Sequence, residues 1–356
     1  ERNASKLSEL MGKVLGEASF FSTPRVRSEL EMTRSNLNDS VPDSGHLLAC
    51  YWAASKLTRG GMVNELSRGI SQVQFMNDLC TAFQADHEVV DSKLAHLFAS
   101  LMCSVEKPKV LIVGEESFLP AAESLVRPFF ENMGSFEAKL PALRTRMEMK
   151  GKEAKFSTND LGAASDAPNT FFSSNLSVNY CAMCVPTVPY GHEDSPKYQI
   201  LAQLLSSRYL HRVVREKGGA YGAGCSLFAD GVLAFTSFRD PNTDKTLQAF
   251  LDSLQWVQQE EISDEMLEEC KLEVFQKLDN PIPAYRRNVS FFLTGLTDEE
   301  RLWRRKALFQ VTAADLQAVA AQLSNTLPRT SRVAIFGSRE NGVKYQGVEG
   351  WEVREL

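Results

Sequence analysis

Arg215 and Tyr221 stand six positions apart in the run Arg215-Glu216-Lys217-Gly218-Gly219-Ala220-Tyr221, where a helical pattern gives way to a strand pattern. Both side chains donate hydrogen bonds. A guanidinium and a phenol projected from one fixed corner suit an oxygen on which negative charge develops during a reaction. Arg208, His211, Arg212, Arg215 and Lys217 gather toward this end, matching the partial negative charge of a helix C-terminus. Gly218 and Gly219 are expected to supply the left-handed backbone that closes such a helix. The competing expectation is purely structural, with Arg215 as a helix-end cation and Tyr221 as a half-buried strand aromatic.

The elements that must hold this corner follow from periodicity. Asn175 to Val188 has a strand pattern, and Ser195 to Glu216 a helical one with an apolar stripe of Leu201, Leu204, Leu205, Tyr209 and Val213. Asp230-Gly231 between Tyr221–Ala229 and Val232–Arg239 predicts a hairpin with a two-residue turn. Pro241 fits the first turn of a helix whose apolar face is Leu247, Phe250, Leu251, Leu254 and Val257. Thr297 with Glu300 and Thr312 with Asp315 read as capping boxes. This order predicts an α+β fold, with helices packed on a mainly antiparallel sheet.

A similar layout occurs earlier in the chain. The helical pattern Leu94 to Leu101 and the apolar run Val110–Gly114 parallel Leu316 to Leu323 and Val333–Gly337. Two related α+β units are therefore expected. Residues 1–134 would be the C-terminal part of a first domain, 135–170 a charged, breaker-rich linker, and 171–356 a second, complete domain. If the units are equal in length, the first is truncated at its N-terminus by roughly 50 residues. Glu1 in place of an initiator Met fits a start inside a longer chain.

At 356 residues with 43% hydrophobic and 24% charged content, the composition is that of a globular protein with a sizeable core. The longest apolar stretches, such as Leu47–Ala54, fall far short of the roughly 20 residues a membrane span needs. A net charge of -6 argues against general nucleic-acid binding, which requires clustered basic surface. Seven scattered cysteines, an odd number, read as reduced thiols rather than a disulfide framework.

Other candidate motifs are weaker. None of the five histidines has a second His and a Glu at the offsets of a helical zinc site. His87-Glu88-Val89-Val90-Asp91 comes closest, but reads as a solvated helix start, and His192-Glu193-Asp194 as the cap of the following helix. Cys181 and Cys184 fall within a strand pattern, where positions three apart face opposite ways, so two buried thiols are expected. The glycines at 218, 219, 222 and 224 follow a helix rather than precede one, so their amides are misplaced for a phosphate. Arg304-Arg305-Lys306 and Arg286-Arg287 read as solvated helix faces, although Arg286 or Arg287 could face a substrate chamber.

The run Tyr209–Gly222, followed by Phe238-Arg239-Asp240-Pro241-Asn242, resembles the C-terminal half of mitochondrial presequence proteases, zinc peptidases related to pitrilysin and insulin-degrading enzyme. The resemblance implies a metalloendopeptidase of the mitochondrial matrix that encloses unfolded peptides, such as presequences and amyloid-type peptides. Zn would be bound by the N-terminal half of the same protein, the chain's expected partner, with no metal ligand in this chain. Arg215 and Tyr221 would then be the catalytic and substrate-binding residues that reach across a closed chamber to the scissile carbonyl. This fragment alone would be inactive. The alternative on the same fold is a noncatalytic structural or binding subunit, like the core proteins related to mitochondrial processing peptidase.

Overall fold

The computed structural model describes residues 6, 9–11, 13–14, 23–103, 109–122, 124–126 and 169–356. These divide into two compact units, and the division is not sequential. One holds Asn36–Phe75, 169–280 and Thr297–Leu356; the other includes residues 23–35, 76–103, 109–122 and 281–296. The expected linker lies almost entirely outside the described residues, and its last two positions, Asn169 and Thr170, already belong to a strand.

The larger unit is built on a six-stranded sheet: β1 (Asn169–Ser174), β2 (Tyr180–Pro186), β3 (Gly222–Leu227), β4 (Val232–Phe238), β5 (Arg332–Ser338) and β6 (Trp351–Glu355), in the order β3-β4-β2-β5-β1-β6. The fold is α+β, and three of the five strand pairings are antiparallel as expected, but the sheet is mixed. Strands β3, β4, β2 and β5 pair antiparallel, whereas β1 pairs parallel with both β5 and β6. Alternation along one strand cannot reveal this, because the helical layer lies between β1 and β5 in the chain and can return it in either direction. The single strand expected over Asn175–Val188 is in fact β1 and β2, parted at Asn175-Leu176-Ser177.

Alternation assigns the two faces. Phe171, Cys181, Met183, Val185, Phe235 and Ile335 lie in one core cluster, with Leu201 and Leu205, Phe250 and Leu254, Leu267 and Val274, and Leu316 and Leu323. Those residues come from the helices Ser195–Leu204 and Leu205–Lys217, Asp244–Gln259, Asp264–Leu278 and Ala313–Thr330. The opposite face presents Phe172, Tyr180, Ala182, Cys184, Ala234 and Phe336 to Leu48, Ala49, Cys50, Trp52, Ala53, Ala54, Ile70 and Val73. Full burial of such side chains contributes about 2 kcal/mol each. Cys181 and Cys184 fall on opposite faces as expected, and Cys184 Sγ meets Cys50 Sγ at 3.7 Å.

Both capping boxes are present, at Thr297 with Glu300 and Thr312 with Asp315. The hairpin turn differs from expectation. Gly231 N donates to Phe228 O (3.0 Å) and Phe228 N to Val232 O (2.8 Å), so the loop has three residues, Ala229 to Gly231. Gly231 sits at φ +85°, the left-handed position such a loop requires. Pro241 is not in a helical turn; it lies in a bend before the helix Asp244–Gln259. Arg304 is buried rather than solvated: it stacks 3.9 Å from the Tyr190 ring centroid and donates to Tyr190 O (2.8 Å) and Ser195 Oγ (3.1 Å). Asp194 occupies the N-cap of the helix Ser195–Leu204, but its side chain pairs with Lys197 (2.7 Å) instead of capping.

In the smaller unit, Asp86 Oδ1 accepts from Glu88 N (3.1 Å) and Val89 N (3.4 Å) at the start of the helix His87–Cys103, the helix start read from the sequence. Val110–Gly114 forms no strand among the described residues, and Val110 and Val113 are exposed, so this apolar run is not buried as a core strand would be. Arg286 lies 6.0 Å from the Tyr285 ring centroid in a short exposed turn. No helix of the described residues is long and apolar enough to cross a membrane.

Candidate functional site

The helix that carries Arg215 starts as an α-helix at Ser195 and continues without a break as a π-helix over Leu205–Lys217. A ladder of i→i+5 hydrogen bonds places residues about five apart on one face. The buried side chains are accordingly Leu205, Leu210 and Val214, while Tyr209 and Val213 move to the flank and are only partly covered. The α-periodic stripe read from the sequence is therefore displaced by one residue over the last three turns. Ser206 ties this segment to the sheet edge, its Oγ accepting from Cys225 N at 2.7 Å.

The helix ends at the glycines. Only Gly219 is left-handed (φ +84°); Gly218 keeps φ −83°, contrary to the expectation that both would turn. Gly219 N donates to Arg215 O (2.9 Å) and Ala220 N to Val214 O (3.2 Å), which satisfies the last carbonyls. Tyr221 then stands just before β3, its N–H donating to Phe238 O at 3.0 Å.

The bend after β4 fixes this corner from the other side. Asp240 is fully buried and exchanges backbone hydrogen bonds with Asn179, both at 2.8 Å. Its Oδ1 accepts from Asn242 N (2.8 Å) and its Oδ2 from Thr246 Oγ1 (2.7 Å). Asn242 Nδ2 in turn donates to Gly218 O at 2.7 Å. Next to this network, Arg239 adopts φ +48°, costly for a residue with a Cβ. Its guanidinium pairs with Asp43 at 2.9 Å and lies 5.3 Å from the Phe238 ring centroid.

Arg215 Nη1 lies 2.6 Å from His211 Nε2, one helical turn away. A guanidinium has no acceptor, so the imidazole nitrogen accepts here and Nδ1 carries the proton toward Glu216 Oε1, 3.3 Å away. Tyr221 is 68% exposed, not half-buried in the strand, and its ring meets Phe238 edge-on at 5.7 Å. Two open clefts adjoin the pair. One of about 650 Å³ is lined by His211, Arg215, Glu216, Tyr221 and Arg239; the other, of about 420 Å³, by His46, Arg215, Tyr221, Thr236 and Phe238. Both sequence-predicted residues therefore face the same open space.

Several residues here were given no part in the site from the sequence. His211 and Arg215 are four apart, a spacing that puts neighbours on one helix face. Asp240-Pro241-Asn242 carries an Asx-turn signature, which would have predicted the accepted amide of Asn242. His46 had no local signal, since only the fold brings it to this cleft. Among the described residues no three His, Cys, Asp or Glu side chains converge as metal ligands, and His211 Nε2 is already engaged by Arg215. The groups at this corner do not fit a zinc ion.

Residues 169–336 match the family model of the PreP C-terminal domain, and residues 1–79 match the model of the domain associated with subfamily C of the M16 peptidases. The mitochondrial presequence protease of Yarrowia lipolytica is 30% identical over 326 residues, covering 90% of this chain and 31% of that protein. That of Drosophila melanogaster is 32% identical over 88% of this chain and 29% of its own length, and that of Xenopus tropicalis 28% identical over 96% and 34%. The chain thus spans about a third of the length of the curated relatives it matches. Among solved structures, a protease from Helicobacter pylori superposes with TM-score 0.56 at 14% identity, over 95% of this chain and 78% of that one. A conserved protein from Enterococcus faecalis V583 gives 0.53 at 17% identity, over 96% and 76%. These two establish the fold.

Proposed function

This chain belongs to the presequence-protease family of peptidases, and we propose that it forms the zinc-free half of a clamshell metalloendopeptidase acting in the mitochondrial matrix. The substrates would be unfolded peptides, including cleaved presequences and amyloid-type peptides. The metal would be held by the preceding half of the same protein, where it would supply the activated water that attacks the peptide bond.

The part played by this chain is electrostatic. Arg215 and Tyr221 would donate hydrogen bonds to the scissile carbonyl and, more strongly, to the oxyanion that develops on it. His211 and the end of the π-helix would keep the guanidinium aimed, and Phe238 would keep the phenol from folding back onto the strand. Such donors help only if they are in place before charge develops, and the Asp240–Asn242 network supplies that rigidity. Because donors and metal would belong to different halves, hydrolysis would require the halves to close on the peptide.

The observation that carries this reading is Tyr221 standing 68% exposed beside Arg215 at an open cleft, which a strand aromatic with a packing role has no reason to do. The test is to assay this chain for peptide hydrolysis and zinc, alone and mixed with the preceding half of its parent. Hydrolysis only in the mixture is the expected result. Hydrolysis by this chain alone would mean it holds its own metal, and none in a mixture that assembles would favour a noncatalytic subunit.

A further inference from the structure

The cleft of about 420 Å³ beside Arg215 and Tyr221 has a third polar wall, His46, which comes from the long helix Thr23–Ser55 rather than from the π-helix or the sheet. His46 is half-buried. Its Nδ1 is buried without a hydrogen-bond partner among the described residues. A buried polar atom left unpaired costs about 1–3 kcal/mol, and the cost is greater for a donor than for an acceptor, so this atom bears on where the ring's proton sits.

The ring environment says which nitrogen is in use. Burial pushes the imidazole below its ordinary pKa, so the ring is neutral at physiological pH. An unpaired N–H is tolerated less well than an unpaired acceptor. The proton is therefore assigned to Nε2, which unlike Nδ1 is not among the buried unpaired atoms of a ring that lines the cleft, and Nδ1 is the empty acceptor. The ring cannot swing freely, because it meets Phe238 edge-on at 4.8 Å and 71°. Phe238 also holds Tyr221 (5.7 Å) and Tyr180 (5.6 Å), and the Tyr180 hydroxyl donates to Pro42 O in the same helix as His46. One aromatic side chain thus sets the orientation of both His46 and Tyr221.

We propose that His46 is a peptide-binding residue of this cleft, its Nε2–H donating to a backbone carbonyl of the substrate next to the one addressed by Arg215 and Tyr221. The inference rests on the functional reading above and extends it, because a neutral donor outside the reacting bond adds affinity without adding charge stabilisation. Removing His46 should weaken binding and leave the chemical step nearly intact, the reverse of removing Tyr221.

The test uses the complete parent protein. His46→Phe keeps the ring and its packing on Phe238 but removes the donor; His46→Gln restores a donor at similar reach. Anisotropy of a labelled unfolded peptide on metal-stripped protein reads Kd independently of turnover. His46→Phe should raise Kd on the order of fivefold, as expected for one neutral hydrogen bond, while His46→Gln stays close to wild type and kcat changes less than Kd in both. Bound peptide should also slow carbethoxylation of His46 in the unmodified protein, read by mass spectrometry, which needs no variant to fold. An unchanged Kd in His46→Phe, an equal loss in both variants, or no protection by peptide would overturn the assignment. Tyr221→Phe measured in parallel separates the two ideas: if its turnover is unchanged, the reading of the cleft as the reaction site fails, whatever His46 does.

Discussion

Asn242 Nδ2 donates to the carbonyl oxygen of Gly218 at 2.7 Å, so the bend that follows β4 holds the end of the π-helix on which Arg215 is mounted. Removing that amide frees the Gly218 carbonyl at the end of the helix that carries Arg215. Asn242→Ala should lower stability by about 1 kcal/mol and kcat more than KM, and Asn242→Asp, which cannot donate when ionised, should behave like the alanine. Wild-type kcat in both variants would show that the corner is held without this bond.

Tyr221→Phe removes one hydroxyl from an exposed ring and leaves its edge contact with Phe238 in place. In the complete enzyme kcat should fall about 100- to 1,000-fold, the usual cost of one oxyanion donor, with zinc content unchanged. Metal analysis beside steady-state kinetics checks both halves of this statement. Full turnover would count against the assigned role.

His211 accepts from Arg215 Nη1 at 2.6 Å, and its own Nδ1 faces Glu216 at 3.3 Å. If the imidazole positions Arg215 as proposed, His211→Ala should release the guanidinium into several rotamers and reduce kcat by about tenfold with little change in folding. His211→Gln, which still offers an acceptor, should recover part of the loss. No recovery together with a lower unfolding temperature would point to packing instead.

Gly219 and Gly231 share a left-handed backbone, at φ +84° and +85°, but not the same surroundings. A Cβ on Gly219 would meet only Pro241 Cγ at 3.5 Å, whereas on Gly231 it would lie 2.8 Å from the backbone carbon of Val188. Gly219→Ala should cost only the backbone penalty, about 1–2 kcal/mol, and Gly231→Ala clearly more. Equal losses in denaturant unfolding would refute the distinction.

Glu65 is buried, with Oε1 accepting from Ser71 N at 2.8 Å and Oε2 unpaired, and burial holds its carboxyl above the usual carboxylate range. A group with a raised folded pKa is favourable below its ordinary value, and that contribution is lost as pH climbs through the raised one. Glu65→Gln carries no charge, so its stability relative to wild type should improve as pH rises from about 4 to about 8. Unfolding midpoints that differ by a constant amount over that range would contradict this.

That a helix ends near Gly218 and Gly219 and a hairpin follows was legible because each depends on residues adjacent in the chain, although the hairpin turn has three residues rather than two and only Gly219 is left-handed. Both capping boxes and the opposed burial of Cys181 and Cys184 were legible for the same reason. The displaced helical stripe was not, since the i→i+5 ladder over Leu205–Lys217 changes the period without changing the composition. Arg304 looked like a surface cation because a basic triplet cannot announce that Tyr190, Ser195 and Gln199 will close over one of its members.

By itself the sequence determined that a guanidinium and a phenol leave one short turn, because helix closure and strand entry are set by local backbone preference. Tertiary structure alone decided what surrounds them: parallel pairing at β1, Asn242 on Gly218, and His46 beside Tyr221. These pairings join segments distant in the chain. Their energies come from packing and from satisfying buried polar groups, neither of which leaves a periodic trace in one strand or helix.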